Sequence, residues 1–231
     1  MATIYSLAPF SDSTKEIRLI TIEPGNFSDG ICCGLKVVPI NSADEYETLS
    51  YTWGDTSATE EIKIGAMVCN VTKNLRDALR HIRSEQGVKI IWVDAICINQ
   101  ADLAERNTQV QMMRAIYSNA SVMNAWISNA EGDAELALPF IESFSYVFNQ
   151  DNRIRSILLV THQNLEDMSW ADTATGKFIL ESTSPSSPNR AGWEAFVRLF
   201  DRPYFYRCWV LQEMCVSKNI FFGSGTFVSS A

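Results

Sequence analysis

The 231-residue sequence is short of the groups that most simple hydrolases rely on: it has two histidines, His81 and His162, and neither lies near a serine or cysteine in a motif. A nucleophile–histidine catalyst is therefore not expected. The six cysteines include no C-x-x-C pair and have no histidine at ligand spacing, which argues against zinc. Buried thiols in a reducing compartment explain them better. Cys97 is included, because no local cation lowers its pKa. No apolar run approaches the roughly 18 residues of a spanning helix, and Met1 to Phe10 lacks a charged stretch followed by an apolar one. The chain reads as soluble and cytoplasmic, with no membrane span. Its net charge of −8 is dispersed and its basic residues form no stripe, so nucleic acid is not expected as a partner.

What is present is a core-forming composition, 46% hydrophobic, sufficient for one large compact unit. Apolar segments at 17–22 and 31–38, separated by turn residues, suggest a pair of N-terminal strands. Glu47 to Trp53 reads as a third strand, and Glu61 to Val71 as a hairpin turning at Gly65-Ala66. Leu75, Ala78, Leu79 and Ile82 fall at helical spacing, with Gly87 placed to end that helix. Lys89 to Ile96 is apolar on both parities, as a strand covered on both faces should be. Asp102 can cap a following helix whose buried stripe reads Leu103, Val110, Met113 and Tyr117. Ser121 to Ile127 is another strand, Ala134 to Phe148 a helix, and Thr183 to Asn189 an exposed, flexible loop. Trp193 to Phe200 and Tyr204 to Cys215 read as helices, and Asn219 to Phe222 as the last strand. Alternation of strand and helix in this order predicts a parallel sheet with crossover helices.

The least generic stretch is Ile90-Ile91-Trp92-Val93-Asp94-Ala95-Ile96-Cys97-Ile98-Asn99-Gln100, followed by an amphipathic helix carrying Glu105, Arg106 and Gln109. It gathers polar groups at a strand end, where open α/β sheets bind ligands. Asp94 could hold ribose hydroxyls there or fix the next turn. Glu105, Arg106 and Gln109 read as network residues on the exposed flank of the helix.

Together with Tyr46-Glu47-Thr48-Leu49-Ser50-Tyr51-Thr52-Trp53-Gly54-Asp55 and Arg202-Pro203-Tyr204 to Trp209-Val210-Leu211-Gln212-Glu213, this block resembles the HET domain, the heterokaryon-incompatibility domain of filamentous fungi. The three blocks stand in the family's order and span most of the chain. Thr48, Thr52 and Ser128-Asn129 depart from the usual pattern but put no candidate site residue in doubt. The resemblance implies a single domain over 1–231: an N-terminal antiparallel β extension over 1–45, then a TIR-like, flavodoxin-like parallel sheet flanked by helices over 46–231, with a variable insertion at about 134–190. It further implies a part in non-self recognition and programmed cell death, with self-association or another signalling domain as partner.

HET domains look like distant relatives of TIR domains, which act either as NAD-cleaving enzymes or as self-associating adaptors, and both readings are open. In the first, Glu213 resembles the glutamate that follows a tryptophan by four residues in the NAD-cleaving enzymes. NAD is then a substrate and no cofactor is implied. Ser50, Trp53, Gly54, Asp55, Asp94, Asn99 and Trp209 would line the pocket, with Trp53 able to stack on a ring and Gly54 to admit a phosphate. In the second, the domain self-associates through a helix face and signals by assembly; apart from either, a purely structural role has Glu213 paired with Arg207 or Arg202 and Trp209 packed in the core.

Overall fold

The computed structural model describes residues 3–41, 45–128, 133–151, 171–224 and 227–230. Nine described strands form one mixed sheet: β1 (Glu16–Ile22), β2 (Cys32–Pro39), β3 (Glu47–Tyr51), β4 (Thr59–Ile64), β5 (Met67–Thr72), β6 (Lys89–Trp92), β7 (Val122–Ser128), β8 (Ile220–Ser224) and β9 (Phe227–Ser230). Their spatial order is β5-β4-β2-β1-β6-β3-β7-β8-β9. The α/β class is as expected. β6, β3, β7 and β8 run parallel, and β1 and β2 attach antiparallel as the N-terminal extension.

β1 lies between β2 and β6 and is buried on both faces: Ile17, Leu19, Ile20 and Ile22 are inaccessible, and even Arg18 is 2% exposed. Gly65 turns the β4–β5 hairpin at φ +58, a left-handed conformation that a side chain disfavours. Gly65→Ala should therefore cost about 1–2 kcal/mol, read as a lower denaturation midpoint with an unchanged slope.

Helix α1 (Lys73–Ile82) buries Leu75, Ala78 and Leu79, and Thr72 Oγ1 accepts its Leu75 N–H. It ends at Arg83, not near Gly87; the Ser84 hydroxyl accepts the Gln86 and Gly87 amides in the turn that follows. Strand β6 stops at Trp92, four residues short of the expected Ile96. Asp94–Cys97 is instead a helical turn, α2, in which the Asp94 carboxylate accepts the Ala95 amide and Val93 O accepts the Cys97 amide. A short apolar run does not distinguish strand from helix by parity, and the Asp decides it locally.

α3 (Leu103–Asn119) starts on Asp102, whose Oδ1 accepts the Ala104 and Glu105 amides as its sequence suggested. Its buried side is Gln109, Met113, Ile116 and Tyr117, whereas Leu103 is 61% exposed. The stripe begins nearly two turns later than hydrophobicity implied, because a buried glutamine occupies its first place. The segment at 204–215 is also not one helix. A 3-10 turn, Pro203–Tyr206, and α7 (Cys208–Val216) are separated by Arg207 in an extended conformation. β8 is not the last strand, since β9 pairs antiparallel with it.

Contacts divide the chain into two units, one of residues 1–129 and 203–231, the other Ala130–Arg202. The second contains α4 (Asp133–Gln150), α5 (Ala174–Thr183) and α6 (Arg190–Phe200). Its small core is Ala137, Ala195 and Leu199, and Gly192 sits so close to Phe140 that an added Cβ would lie 2.8 Å from the phenylalanine Cβ. Residues 184–189, expected as a loop, link α5 to α6.

Candidate functional site

In the parallel part of the sheet the chain runs from β3 to β6 on one side, then returns across to β7 and β8. The order reverses at β3. In open α/β sheets the crevice at the carboxyl ends of strands beside such a reversal is where ligands bind. Ser50 and Tyr51 end β3 at this edge, Trp53 and Gly54 follow, and Asp94 stands just past the end of β6.

Ser50 lies two residues after Thr48, which is in register with Trp92 and Met123, so Ser50 shares their face of the sheet. α3 covers that face: the Tyr46 hydroxyl donates to Ile116 O at 2.7 Å, and the Trp92 and Tyr117 rings meet edge to face at 5.7 Å. There Ser50 meets Glu213 of α7. Ser50 Oγ donates to Glu213 Oε2 in a short hydrogen bond and lies 2.9 Å from the Tyr204 hydroxyl. Ser50 has a single hydroxyl proton, and it is given to Glu213, so Tyr204 is the donor to Ser50; burial pushes the Tyr204 phenol up. Arg207 completes the group, with guanidinium nitrogens 3.3 Å from Ser50 Oγ and 3.4 Å from Glu213 Oε1. Glu213 is 1% exposed.

Burial raises the Glu213 carboxyl above its ordinary range; Arg207 and Ser50 pull it down, and the charge of nearby Asp94 pushes it up. Asp94 is likewise raised by burial, opposed by a 3.0 Å hydrogen bond from Trp53 Nε1 and by Arg207. One cation thus serves two carboxyls, a combination typical of sites that do chemistry and also of structural ion networks. Because both carboxyls titrate higher folded than unfolded, each costs stability once pH has risen through its folded value, and that cost disappears as pH falls below it. The melting temperature of Glu213→Gln relative to the native chain should therefore be more favourable at pH 7.5 than at pH 5. Thermal melts across that range check it.

The other expected site residues divide. Trp53, 39% exposed, reaches the group through Asp94. Gly54 adopts φ +72, the left-handed conformation that lets the chain turn past Asn74, whose amide donates to Thr52 O. Asp55 is spent on an exposed turn, accepting the amide and hydroxyl of Ser57. Asn99 is spent likewise, with its side-chain oxygen on the Ala101 amide. Trp209, one turn before Glu213, is 42% exposed.

The helix flank read as solvated is not. Gln109 is inaccessible and donates to Ser13 O and Glu16 O, and Glu105, 11% exposed in its side chain, pairs with Arg18. Arg106 is the member left partly exposed. Arg202 belongs to the second unit. Two of the six free thiols, Cys208 and Cys215, are exposed on α7, against the expectation of burial, while Cys33 and Cys97 are buried. His81 packs between the rings of Phe27 and Trp126, and His162 lies outside the described residues.

Sequence reasoning gave no site role to Tyr204, although it stands inside the last motif block, and weighed Arg207 only as an ion partner. The contact that defines the group joins residues 163 positions apart, which no local pattern reports. A groove of about 350 Å³ opens at the opposite sheet edge, by the amino ends of β3 and β6. It contains none of the expected site residues, and its Glu47 and Lys89 already pair with each other.

The family model of the heterokaryon incompatibility protein (HET) matches residues 46–213, from the residue before β3 to the buried glutamate. The chain belongs to the HET family. Heterokaryon incompatibility protein 6, OR allele, of Neurospora crassa is 29% identical over 249 residues, covering 98% of this chain. The chain spans 35% of that relative's length. No solved structure matches it. The matched HET segment thus contains the three elements that bring Ser50, Asp94 and Glu213 to one edge. Among the described residues, no helix is long and apolar enough to cross a membrane.

Proposed function

We propose that this HET domain acts in fungal non-self recognition as an effector of programmed cell death, and that it does so by cleaving the nicotinamide–ribose bond of NAD. The observation that carries the reading is the buried Glu213 carboxylate, held by Ser50, which Tyr204 also contacts, at the strand ends where the strand order reverses. Nicotinamide leaves a cationic pyridinium as a neutral molecule, taking the electron pair of the broken C–N bond, so no acid is needed at the leaving group. The demand falls on the ribose, which develops oxocarbenium-like charge. A fixed carboxylate in a water-poor site stabilises that charge without reorganising. Water then adds to the anomeric carbon, giving ADP-ribose, and its proton passes to solvent. Asp94, with Trp53 bound to it, stands close enough to act on Glu213 electrostatically and supplies a second wall.

A second reading, a self-associating scaffold of TIR-adaptor type, is favoured by a different observation. Tyr206, Trp209 and Leu211 are 75%, 42% and 72% exposed around the start of α7, more apolar surface than one short segment usually presents to water. Nicotinamide release from NAD, followed on concentrated or artificially clustered protein, separates the two. Steady release proportional to protein supports cleavage; assembly with no release supports the scaffold.

A further inference from the structure

Arg207 is an unusual partner for a buried carboxylate. Its contacts of 3.3 and 3.4 Å are longer than the ~2.7–2.9 Å of a settled charge-assisted hydrogen bond. Its side chain is 21% exposed against 2% for Glu213, so Arg207 is the member of the pair nearer to solvent. Arg18 shows the alternative within the same chain: its side chain is 3% exposed, and it binds both Glu105 oxygens at 2.6 and 3.1 Å. That pair is locked into the fold, whereas Arg207 rests loosely across the Ser50–Glu213 couple. It also leaves one cation facing two carboxyls, since Asp94 feels it as well.

We propose that Arg207 is the anion-selecting residue of this site. In the empty site it balances the charge of Glu213; when a nucleotide binds, its phosphate takes over the guanidinium, and the cationic base replaces the guanidinium beside Glu213. The exchange keeps each charge paired. This inference rests on the reading of the site as one for a nicotinamide nucleotide, and it narrows the ligand class. The ligand must carry a phosphate and a cationic ring together. A nucleoside without phosphate leaves Arg207 on Glu213, where it competes with the incoming ring. A nucleotide with a neutral ring draws Arg207 away and leaves a buried carboxylate without a counter-charge, which is strongly unfavourable.

The test is a calorimetric titration of the native chain, Arg207→Gln and Arg207→Lys with the non-hydrolysable carba analogues of nicotinamide mononucleotide and nicotinamide riboside. The native chain should bind the phosphate-bearing analogue roughly 10- to 100-fold more tightly, the range expected for a hydrogen bond to a charged group. Arg207→Gln should erase the difference and Arg207→Lys should keep most of it. A preference that survives Arg207→Gln overturns the proposal, as does equal or absent binding of both analogues by the native chain. Release of nicotinamide from NAD, measured in parallel on concentrated or artificially clustered protein, keeps the two readings apart. No release alongside an Arg207-dependent preference removes the cleavage reading and leaves the selection in place. Release with a preference indifferent to Arg207 does the reverse. Thermal melts establish that each variant is folded; if Arg207→Gln is not, Glu213→Gln/Arg207→Gln, in which two neutral amides face each other, carries the same comparison.

Discussion

Replacing Glu213 by glutamine should reduce nicotinamide release roughly 100- to 1,000-fold, the loss typical when one preorganised electrostatic group is removed, while the protein stays folded. The substitution is nearly isosteric, and the amide oxygen can still accept from Ser50. Only the charge is lost. Because burial already disfavours that charge, the variant should melt no lower than the native chain at neutral pH. A change that removes activity without removing stability distinguishes a working carboxylate from one that ties α7 to the sheet. Glu213→Asp sharpens the distinction: it keeps the charge but withdraws it by one methylene from Ser50, so activity should fall while the pH dependence of stability persists. If Glu213→Gln turns over undiminished, the assignment of Glu213 is wrong. If it still assembles and still provokes cell death, the scaffold reading gains.

Much of the architecture was legible because local chemistry and global order agree. Asp102 caps α3, Gly65 turns a hairpin, and alternating strands and helices can close only as a parallel sheet with crossovers. Two of the misreadings share one cause, the assumption that polarity means solvent. Gln109 looked like surface and lies fully buried, because two backbone carbonyls of the N-terminal segment receive its amide. Glu105 looked solvated and is neutralised by an arginine 87 residues earlier. Asp94 looked like the end of a strand and begins a helical turn. The candidate site was legible only as a set of residue types at strand ends, to which family resemblance added a glutamate that the fold places on α7. Its internal wiring was not. Periodicity says which face a residue occupies, but whether Ser50 or a neighbour meets Glu213 depends on sheet register and on how α7 crosses it. The extended conformation at Arg207, which separates α7 from the preceding turn, leaves no mark in hydrophobicity.

The largest loss of stability should come from Arg18, which lies outside the candidate site. Its guanidinium donates to Ala8 O at 2.8 Å, to Cys97 O at 3.2 Å and to both oxygens of Glu105, and it stacks on Phe10 at 3.9 Å and Tyr5 at 4.9 Å. Glu105 also accepts the Asn99 amide at 2.6 Å. One ion pair therefore grips the end of the turn that begins with Asp94, and through it helps hold the Asp94–Trp53 hydrogen bond. Arg18→Ala leaves the Glu105 carboxylate nearly buried and unpaired, at a cost of about 3–5 kcal/mol, a large part of the 5–15 kcal/mol that stabilises a typical domain. Arg18→Met/Glu105→Leu, which replaces both charges by apolar groups of similar reach, should recover most of that loss. It should not recover the turn, because neither new side chain can accept the Asn99 amide or donate to Cys97 O. Chemical denaturation measures the first effect and amide hydrogen exchange the second. The double variant is expected to show near-native global stability with fast exchange at Asn99. A loss below about 1 kcal/mol for Arg18→Ala, the scale of an exposed pair, would show that the pair does not brace the sheet.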